Sequence, residues 1–138
     1  APILSFTTEE IFMLISKDKK SIHLEKFIEF PKSFKNEKLN KKWIELKKIR
    51  DICNISIEAK RVSKEIGSSL EANLIINLNE DLLKISNNIN FSELCITSSA
   101  TVQKSNTENV TAKTIKAEGI KCPVCWKISK DKCERHLD

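Results

Sequence analysis

The sequence predicts an α+β fold with a mainly helical part, a small mixed α/β unit and a C-terminal metal-binding knuckle. Apolar residues between Leu39 and Ile66 recur at three- and four-residue steps, the spacing of one helix face. Residues 73–78 (NLIINL) alternate in the manner of a short strand. The closing stretch KCPVCWKISKDKCERH holds two closely spaced pairs of metal-type side chains. The expected domains are residues 1–67, 68–114 and 115–138.

The overall composition is that of a globular protein with a mild positive charge. The 138 residues are 40% hydrophobic and carry 24 basic against 19 acidic side chains, a net charge of +5. This balance permits a nucleic-acid surface but does not require one. No apolar run approaches the roughly 20 residues of a membrane helix, no signal peptide is visible, and five cysteines fit a reducing compartment. We therefore expect a cytoplasmic protein without membrane contact. The chain begins at Ala1 in mid-pattern, which predicts a fragment or a processed product.

The N-terminal segment predicts a first helix over Pro2–Ile15. Thr7 is expected to be its N-cap, with Glu10 completing a capping box three residues later. Residues 21–31 are expected to form an extended connector, and residues 32–40 a lysine-rich loop.

The long helix over residues 39–66 is expected to end at Gly67, a C′ residue that can take a positive φ. Trp43 is expected in the core at its start. Its polar face carries several cations, which permits two interpretations: a solvated helix face, or a surface that faces phosphates. The candidates for backbone contact are Lys47, Arg50, Lys60, Arg61 and Lys64.

Short elements are expected after the first strand. Asn79 should cap a short helix that has Glu80 and Asp81 in its first turn. Residues 91–96 (FSELCI) predict a second strand, in which Cys95 is a buried apolar cysteine. Residues 103–114 are expected to be a polar loop or linker, and residues 115–118 a third strand that leads into the cysteine module.

The cysteine module predicts a zinc site. Cys122 and Cys125 form a C-x-x-C pair, and Cys133 and His136 form a C-x-x-H pair seven residues later. A two-residue gap lets both side chains of a pair reach one ion from a tight turn, and Zn²⁺ takes four such ligands in a tetrahedron. Three thiolates, a neutral imidazole and Zn²⁺ sum to about −1. Nearby cations that can offset this charge are Lys121, Lys127, Lys132 and Arg135. The alternatives are unconnected residues near a frayed terminus and a disulfide between the first two cysteines.

The stretch from Trp43 onward, WIELKKIRDICNISIEAKRVSKEIGSSLEANLIINL, resembles the C-terminal region of bacterial isoleucyl-tRNA synthetases. Three further pieces resemble the same family in the same order. APILSFTTEEI is similar to the closing helix motif of the anticodon-binding bundle, ELCITSSATV to the strand segment before the metal module, and AEGIKCPVCWK to the zinc finger shared with formamidopyrimidine-DNA glycosylases. The residues that carry the first match are Trp43, Arg50, Glu58, Ala59, Arg61, Lys64, Ile66, Gly67, Ser69, Leu70, Glu71 and Ala72.

The resemblance implies a part of a monomeric class I enzyme that joins isoleucine to its tRNA with ATP and Mg²⁺. These 138 residues contain neither a HIGH-like nor a convincing KMSKS-like motif, the motifs by which class I synthetases bind ATP. The resemblance therefore implies that this segment binds the anticodon arm of the tRNA. Lysines and arginines would neutralise phosphates, and Trp126 would stack on an unpaired base or pack over the zinc knuckle. Arg61→Ala is expected to weaken tRNA binding without melting the domain.

The metal module departs from the family pattern in ways that affect its expected role. The family usually closes with a C-x-x-C pair after a longer spacer, and often has a basic residue where this chain has Val124. These departures favour a structural role for the zinc. Two other functions stay open: a zinc clip that fixes this part of the chain without recognising tRNA, and a nucleic-acid-binding zinc finger of a DNA-repair enzyme.

Overall fold

The computed structural model describes residues 3–18, 20–131, 133 and 135–136. It is mixed α and β, as expected, and divides into two compact units, residues 1–36 and 37–138. Within the described residues the helices are α1 (Ser5–Ile15), α2 (Glu37–Val62), α3 (Glu80–Ile85) and α4 (Phe91–Leu94). The strands are β1 (Ala72–Leu78), β2 (Ser99–Lys104), β3 (Thr111–Lys116), β4 (Ile120–Lys121) and β5 (Ile128–Ser129).

The first unit is built on α1, which has no buried residue. The first helix predicted over residues 2–15 is confirmed, although Pro2 lies outside the described residues. The Thr7 cap is wrong, because the helix begins at Ser5 without a side-chain cap. The Ser21 hydroxyl (3.0 Å) and the main-chain N–H of Ile22 (2.9 Å) donate to the Glu9 carboxylate. This contact ties the connector, which carries a short 3₁₀ turn, back to α1.

The second unit is organised around α2, which lies against the sheet. Its buried residues follow three- and four-residue steps, which confirms the predicted helical periodicity. The Ser56 and Thr114 hydroxyl oxygens lie 2.8 Å apart and join α2 to β3. Trp43 is 39% exposed and so is not the core residue expected at the helix start. The buried apolar core consists of Leu46, Ile49, Cys53, Ile57, Ile66, Ala72, Leu74, Ile76, Leu78, Phe91 and Cys95.

The three-stranded sheet has the order β2-β1-β3, with the predicted strand β1 in the centre. β1 pairs in parallel with β2, where Asn73 lies opposite Ser99, and antiparallel with β3, where Leu74 lies opposite Thr114. Even-numbered residues of β1 are buried and odd-numbered residues are half-buried, so one face meets the core and the other is more open. The predicted Asn79 cap is confirmed, since its side chain accepts from Leu82 N at 2.9 Å.

Two expectations for the residues after α3 are wrong. Residues 91–96 are not a strand: Phe91–Leu94 is a short helix, because the Asn90 side chain accepts from the main-chain N–H groups of Ser92 and Glu93. Residues 103–114 are not a linker, because they supply the end of β2, a turn and most of β3. The third strand expected over residues 115–118 begins earlier, at Thr111.

The end of α2 also differs from the expectation. Gly67 is not its C′ residue, because Lys64 takes the positive φ, at 59°. Glu65 N donates to Lys60 O (3.1 Å) and Lys64 N to Arg61 O (3.0 Å). These bonds are the paired contacts of a Schellman motif, in which the C′ position is left-handed. The turn therefore closes three residues before Gly67.

Candidate metal centre and basic helix flank

The metal-type residues lie on and beside a small hairpin. β4 and β5 pair antiparallel, with Lys121 opposite Ile128. At the hairpin end, Cys122 N donates to Lys127 O at 2.9 Å and Trp126 N donates to Cys122 O at 3.0 Å. These bonds close a tight turn that directs the Cys122 and Cys125 thiols to the same side, as the two-residue gap predicts.

All four predicted ligands come together. The ligand atoms of Cys122, Cys125, Cys133 and His136 lie within 4.8 Å of one another. Cys125 Sγ lies 3.5 Å from Cys133 Sγ, and His136 Nδ1 lies 3.5 Å from Cys133 Sγ and 3.6 Å from Cys122 Sγ. Zinc bond lengths place tetrahedral ligands about 3.5–3.8 Å apart, so these separations fit one ion. A Cys₃His set would supply a closed, structural coordination shell with no open position for a substrate.

The surroundings of the cluster lower the pKa of two of its three thiols, while the pKa of Cys125 is raised by burial and by the neighbouring thiols. Main-chain N–H groups of Cys125 and Val124 lower the pKa of Cys122 to about 6. A hydrogen bond with His136 lowers the pKa of Cys133, and the same bond raises the pKa of His136. Thiolates are the form that binds zinc, so these shifts lower the proton competition at the two cysteines. Of the four cations expected to offset the cluster's charge, Lys132 lies outside the described residues.

α4 and the segment that follows it anchor the hairpin to the sheet. The Glu93 carboxylate accepts from Lys127 Nζ (2.5 Å) and from Arg135 Nη2 (2.7 Å). The Ser98 hydroxyl oxygen accepts from Ile128 N at 2.6 Å, and its O–H donates to Leu70 O at 2.5 Å. Glu93 and Ser98 are not among the site residues that the sequence predicts. Their separation of 28–42 residues from their partners leaves no spacing signal, and FSELCI alternates like a strand.

The surface of the hairpin carries Trp126 directly after the second cysteine. Its ring is 59% exposed, with Lys121 Nζ 5.9 Å from the ring centroid, within the range of a cation–π contact. Its φ of 64° is left-handed, which is uncommon for an aromatic residue and fixes the direction in which the side chain leaves the knuckle. The ring therefore presents most of its surface to solvent.

The structure separates the candidate cations of α2 into distinct groups. Trp43, Lys47, Arg50 and Asn54 follow each other at four, three and four residues, so they line one flank of the helix. Lys47 and Arg50 are exposed and form no ion pair with any residue that the structure describes. We call this stripe the basic flank, defined by Trp43, Lys47, Arg50 and Asn54.

The other three candidates are paired with a carboxylate or lie beyond the helix end. Arg61 is engaged by Glu58 at 2.7 Å, and Lys60 donates to Glu65 at 2.7 Å. Helical spacing places Lys60 on the sheet-facing side, where it is half-buried. Lys64 follows the helix end and shares a cavity of about 410 Å³ with Arg61. The structure thus brings Lys47 and Arg50 together but leaves Lys60 apart from them.

Two findings concern the chain as a whole. Among the described residues, no helix is both long and apolar enough to cross a lipid bilayer. No protein-family model matches the chain.

Comparison with curated proteins gives matches along the whole sequence. The chain is 75% identical over its 138 residues to an isoleucine–tRNA ligase of Pelagibacter ubique. It is 37% identical to that of Agrobacterium fabrum over 142 aligned residues, 95% of this chain, and 39% identical to that of Methylacidiphilum infernorum over 129 residues, 94% of this chain. The chain spans about 15% of the length of these relatives. It therefore belongs to the isoleucine–tRNA ligase family, of which it represents a C-terminal part.

Proposed function

We propose that this chain is the part of an isoleucine–tRNA ligase that binds the anticodon arm of isoleucine tRNA. The observation that carries the proposal is the basic flank of α2, where Lys47 and Arg50 are exposed and free of internal ion pairs within the described residues. Such cations gain most from phosphates, because no carboxylate has to be displaced first. The identity to isoleucine–tRNA ligases supports tRNA as the source of those phosphates.

Trp126 would add a stacking surface for an unpaired base. Bases of single-stranded loops stack on aromatic planes, which contributes about 1–3 kcal/mol per base. The exposed ring on the knuckle meets the geometric requirement for such a contact. Arg61 would contribute less than Arg50, because its guanidinium already donates to Glu58. Arg61→Ala should therefore weaken tRNA binding only modestly, and without unfolding the domain.

The intact enzyme would join isoleucine to this tRNA in the cytoplasm, as a monomer without membrane contact. ATP and Mg²⁺ would bind in a catalytic part that these 138 residues do not contain. Zn²⁺ would bind here, held by Cys122, Cys125, Cys133 and His136, and would supply rigidity rather than chemistry.

The proposal is tested by comparing two opposite sides of α2. Lys47→Ala with Arg50→Ala removes two charges from the basic flank. Lys41→Ala with Lys48→Ala removes two charges from the opposite side of the same helix. In a fluorescence titration with isoleucine tRNA, the first pair should weaken binding about tenfold and flatten the dependence of log K on log salt by about two. Equal affinities for the two double variants would refute a specific role of the basic flank.

A second candidate function is a zinc clip that holds the hairpin on the sheet without contact to tRNA. The contacts of Glu93 and Ser98 with the hairpin favour it. Cys133→Ser separates the two functions: loss of folded structure indicates a clip, and loss of tRNA affinity with the fold retained indicates recognition by the module.

A further inference from the structure

We propose that Glu93 is a positioning residue for the metal centre, which sets zinc affinity by holding both halves of the ligand set at once. The inference rests on metal binding at the Cys₃His cluster but not on tRNA binding. The carboxylate comes from α4, outside the hairpin, and each of its oxygens takes one cation of the module.

The two cations that Glu93 holds belong to the two ligand pairs. Lys127, bound to Oε1, lies two residues after Cys125, and Arg135, bound to Oε2, lies directly before His136. One carboxylate therefore spans the C-x-x-C half and the C-x-x-H half. A shift of Glu93 would change the separation of the two pairs, which is the distance that the metal must bridge.

The first ligand pair has further support. Lys127 O accepts from Cys122 N, and Ile128 N donates to Ser98, so the main chain and the side chain of Lys127 fix the hairpin together. The Lys127 side chain is only 19% exposed, although the Glu93 carboxylate that it contacts is 44% exposed.

Within the part of the chain that the structure describes, the second pair has fewer such contacts. Cys133 and His136 lie outside helices and strands, and the main-chain bond described between them is His136 N to Cys133 O at 3.1 Å. Among the described residues, the ion pair between Arg135 and Glu93 therefore links this ligand pair to α4. Glu93 and Arg135 are both exposed by more than two fifths, so their pairing adds little to global stability. Its expected effect is on preorganisation: residues that orient metal ligands typically change affinity by 10–100-fold.

The test measures zinc binding by the full 138-residue chain. The metal-free protein is titrated with Zn²⁺ in competition with a chromophoric chelator. Glu93→Ala should weaken zinc binding about tenfold. Glu80→Ala is the matched control, because Glu80 is also exposed and paired with two lysines, Lys84 and Lys104, but on α3, without a described contact to the hairpin. The zinc affinity of the Glu80→Ala variant should equal that of the original chain.

Two further measurements distinguish positioning from a general structural role. The urea midpoint of the metal-free protein should be nearly the same for both variants; a lowered midpoint for Glu93→Ala with unchanged zinc affinity would overturn the proposal. Lys127→Met should weaken zinc binding too, and adding it to Glu93→Ala should cost much less than the product of the two effects. If the effects of the two substitutions on zinc affinity multiply, Glu93 does not act through Lys127 and the proposal fails. If the original chain binds no zinc, the metal site itself is overturned, independently of any tRNA result.

Discussion

Gly119 shows how strictly a single residue can constrain the metal module. Its φ is +131°, and a Cβ at this position would lie 2.1 Å from Ser129 O, a main-chain atom of β5. Side chains rarely adopt this conformation, and the neighbour cannot move without breaking the β4–β5 pairing. The hairpin that carries the first two proposed ligands therefore requires glycine at this position.

Gly119→Ala should destabilise the module by about 3 kcal/mol or more and weaken zinc binding accordingly. Gly67→Ala is the control, because a Cβ there would meet only the flexible Glu71 side chain, at 3.6 Å. Zinc titration and the chemical shifts of the hairpin residues would measure the difference. Similar behaviour of the two alanine variants would contradict the argument from close approach.

The metal centre should also depend on pH. Its cysteines must lose their protons to bind metal, and the pKa of Cys122 is lowered to about 6, so its thiolate is present above that pH. Below about pH 6 protons compete at Cys122 and also at His136, whose pKa is raised. Cys125, whose pKa is raised by burial and by the neighbouring thiols, must release a proton to bind metal throughout this range. Zinc affinity should therefore fall as the pH drops from about 8, and more steeply below about 6, measured by chelator competition between about pH 5 and 8. An affinity that does not change over this range would contradict the assigned ligands. Cys95→Ser, which changes a buried cysteine outside the cluster, should leave the profile in place.

The clustering of the four proposed ligands could be predicted because it depends on local spacing. A two-residue gap within each pair determines that both side chains reach one ion, whatever the rest of the fold does. Glu93 could not be predicted in this way, since it acts on residues 34 and 42 positions away. The turn at Lys64 was missed for a different reason: glycine is the usual left-handed residue, and a lysine gives no signal.

Among the elements, α4 connects the sheet to the metal centre although it is only four residues long. A helix this short has little stability of its own, so it depends on its cap and on the burial of Phe91. The Asn90 side chain accepts from Ser92 N at 3.0 Å and Glu93 N at 3.3 Å. The cap thus holds the main chain of Glu93, the proposed positioning residue.

Asn90→Ala should lower the free energy of unfolding by about 1 kcal/mol, because the N-terminal N–H groups of α4 lose their acceptor. Urea unfolding of the metal-free chain measures this change. Asn87→Ala serves as the comparison, since Asn87 is exposed and precedes the cap. If Asn90→Ala left the unfolding curve in the same place as Asn87→Ala, the cap would have no energetic role.

The elements differ in how far their sequences predict them. α2 is long, and its apolar periodicity is dictated by the core that it covers, so it was predictable. β2 and β3 are rich in polar residues because one face of the sheet is open. Their strand conformation depends on pairing with β1, so their own sequences do not predict it. FSELCI alternates, but its first four residues form a helix, because the preceding Asn90 supplies a cap and no described strand pairs with this segment.

At the scale of the whole molecule, the two units differ in how they hold their apolar side chains: residues 1–36 expose many of them, and residues 37–138 pack theirs into a core. In residues 1–36 many large apolar side chains are exposed, among them Phe6 (92%), Leu14 (83%) and Phe27 (83%). The core of residues 37–138 contains none of these side chains.

A truncated chain of residues 37–138 should therefore keep the zinc affinity and the unfolding midpoint of the full chain. It should bind less of a hydrophobic dye such as ANS, because the exposed apolar side chains of the first unit are gone. Calorimetry and dye fluorescence on the two proteins measure both effects. A collapse of the truncated chain would show that the second unit depends on the first.

The strand order β2-β1-β3 has a consequence for self-association. The central strand β1 (ANLIINL) carries no charge and would join other chains readily if it were exposed, but neighbours cover both of its edges. The strands left at the edges carry Lys104, Lys113 and Lys116. Lysine on an edge strand repels a second copy before its main chain can pair. Part of the positive charge of this chain therefore protects it from aggregation, whether or not RNA is present.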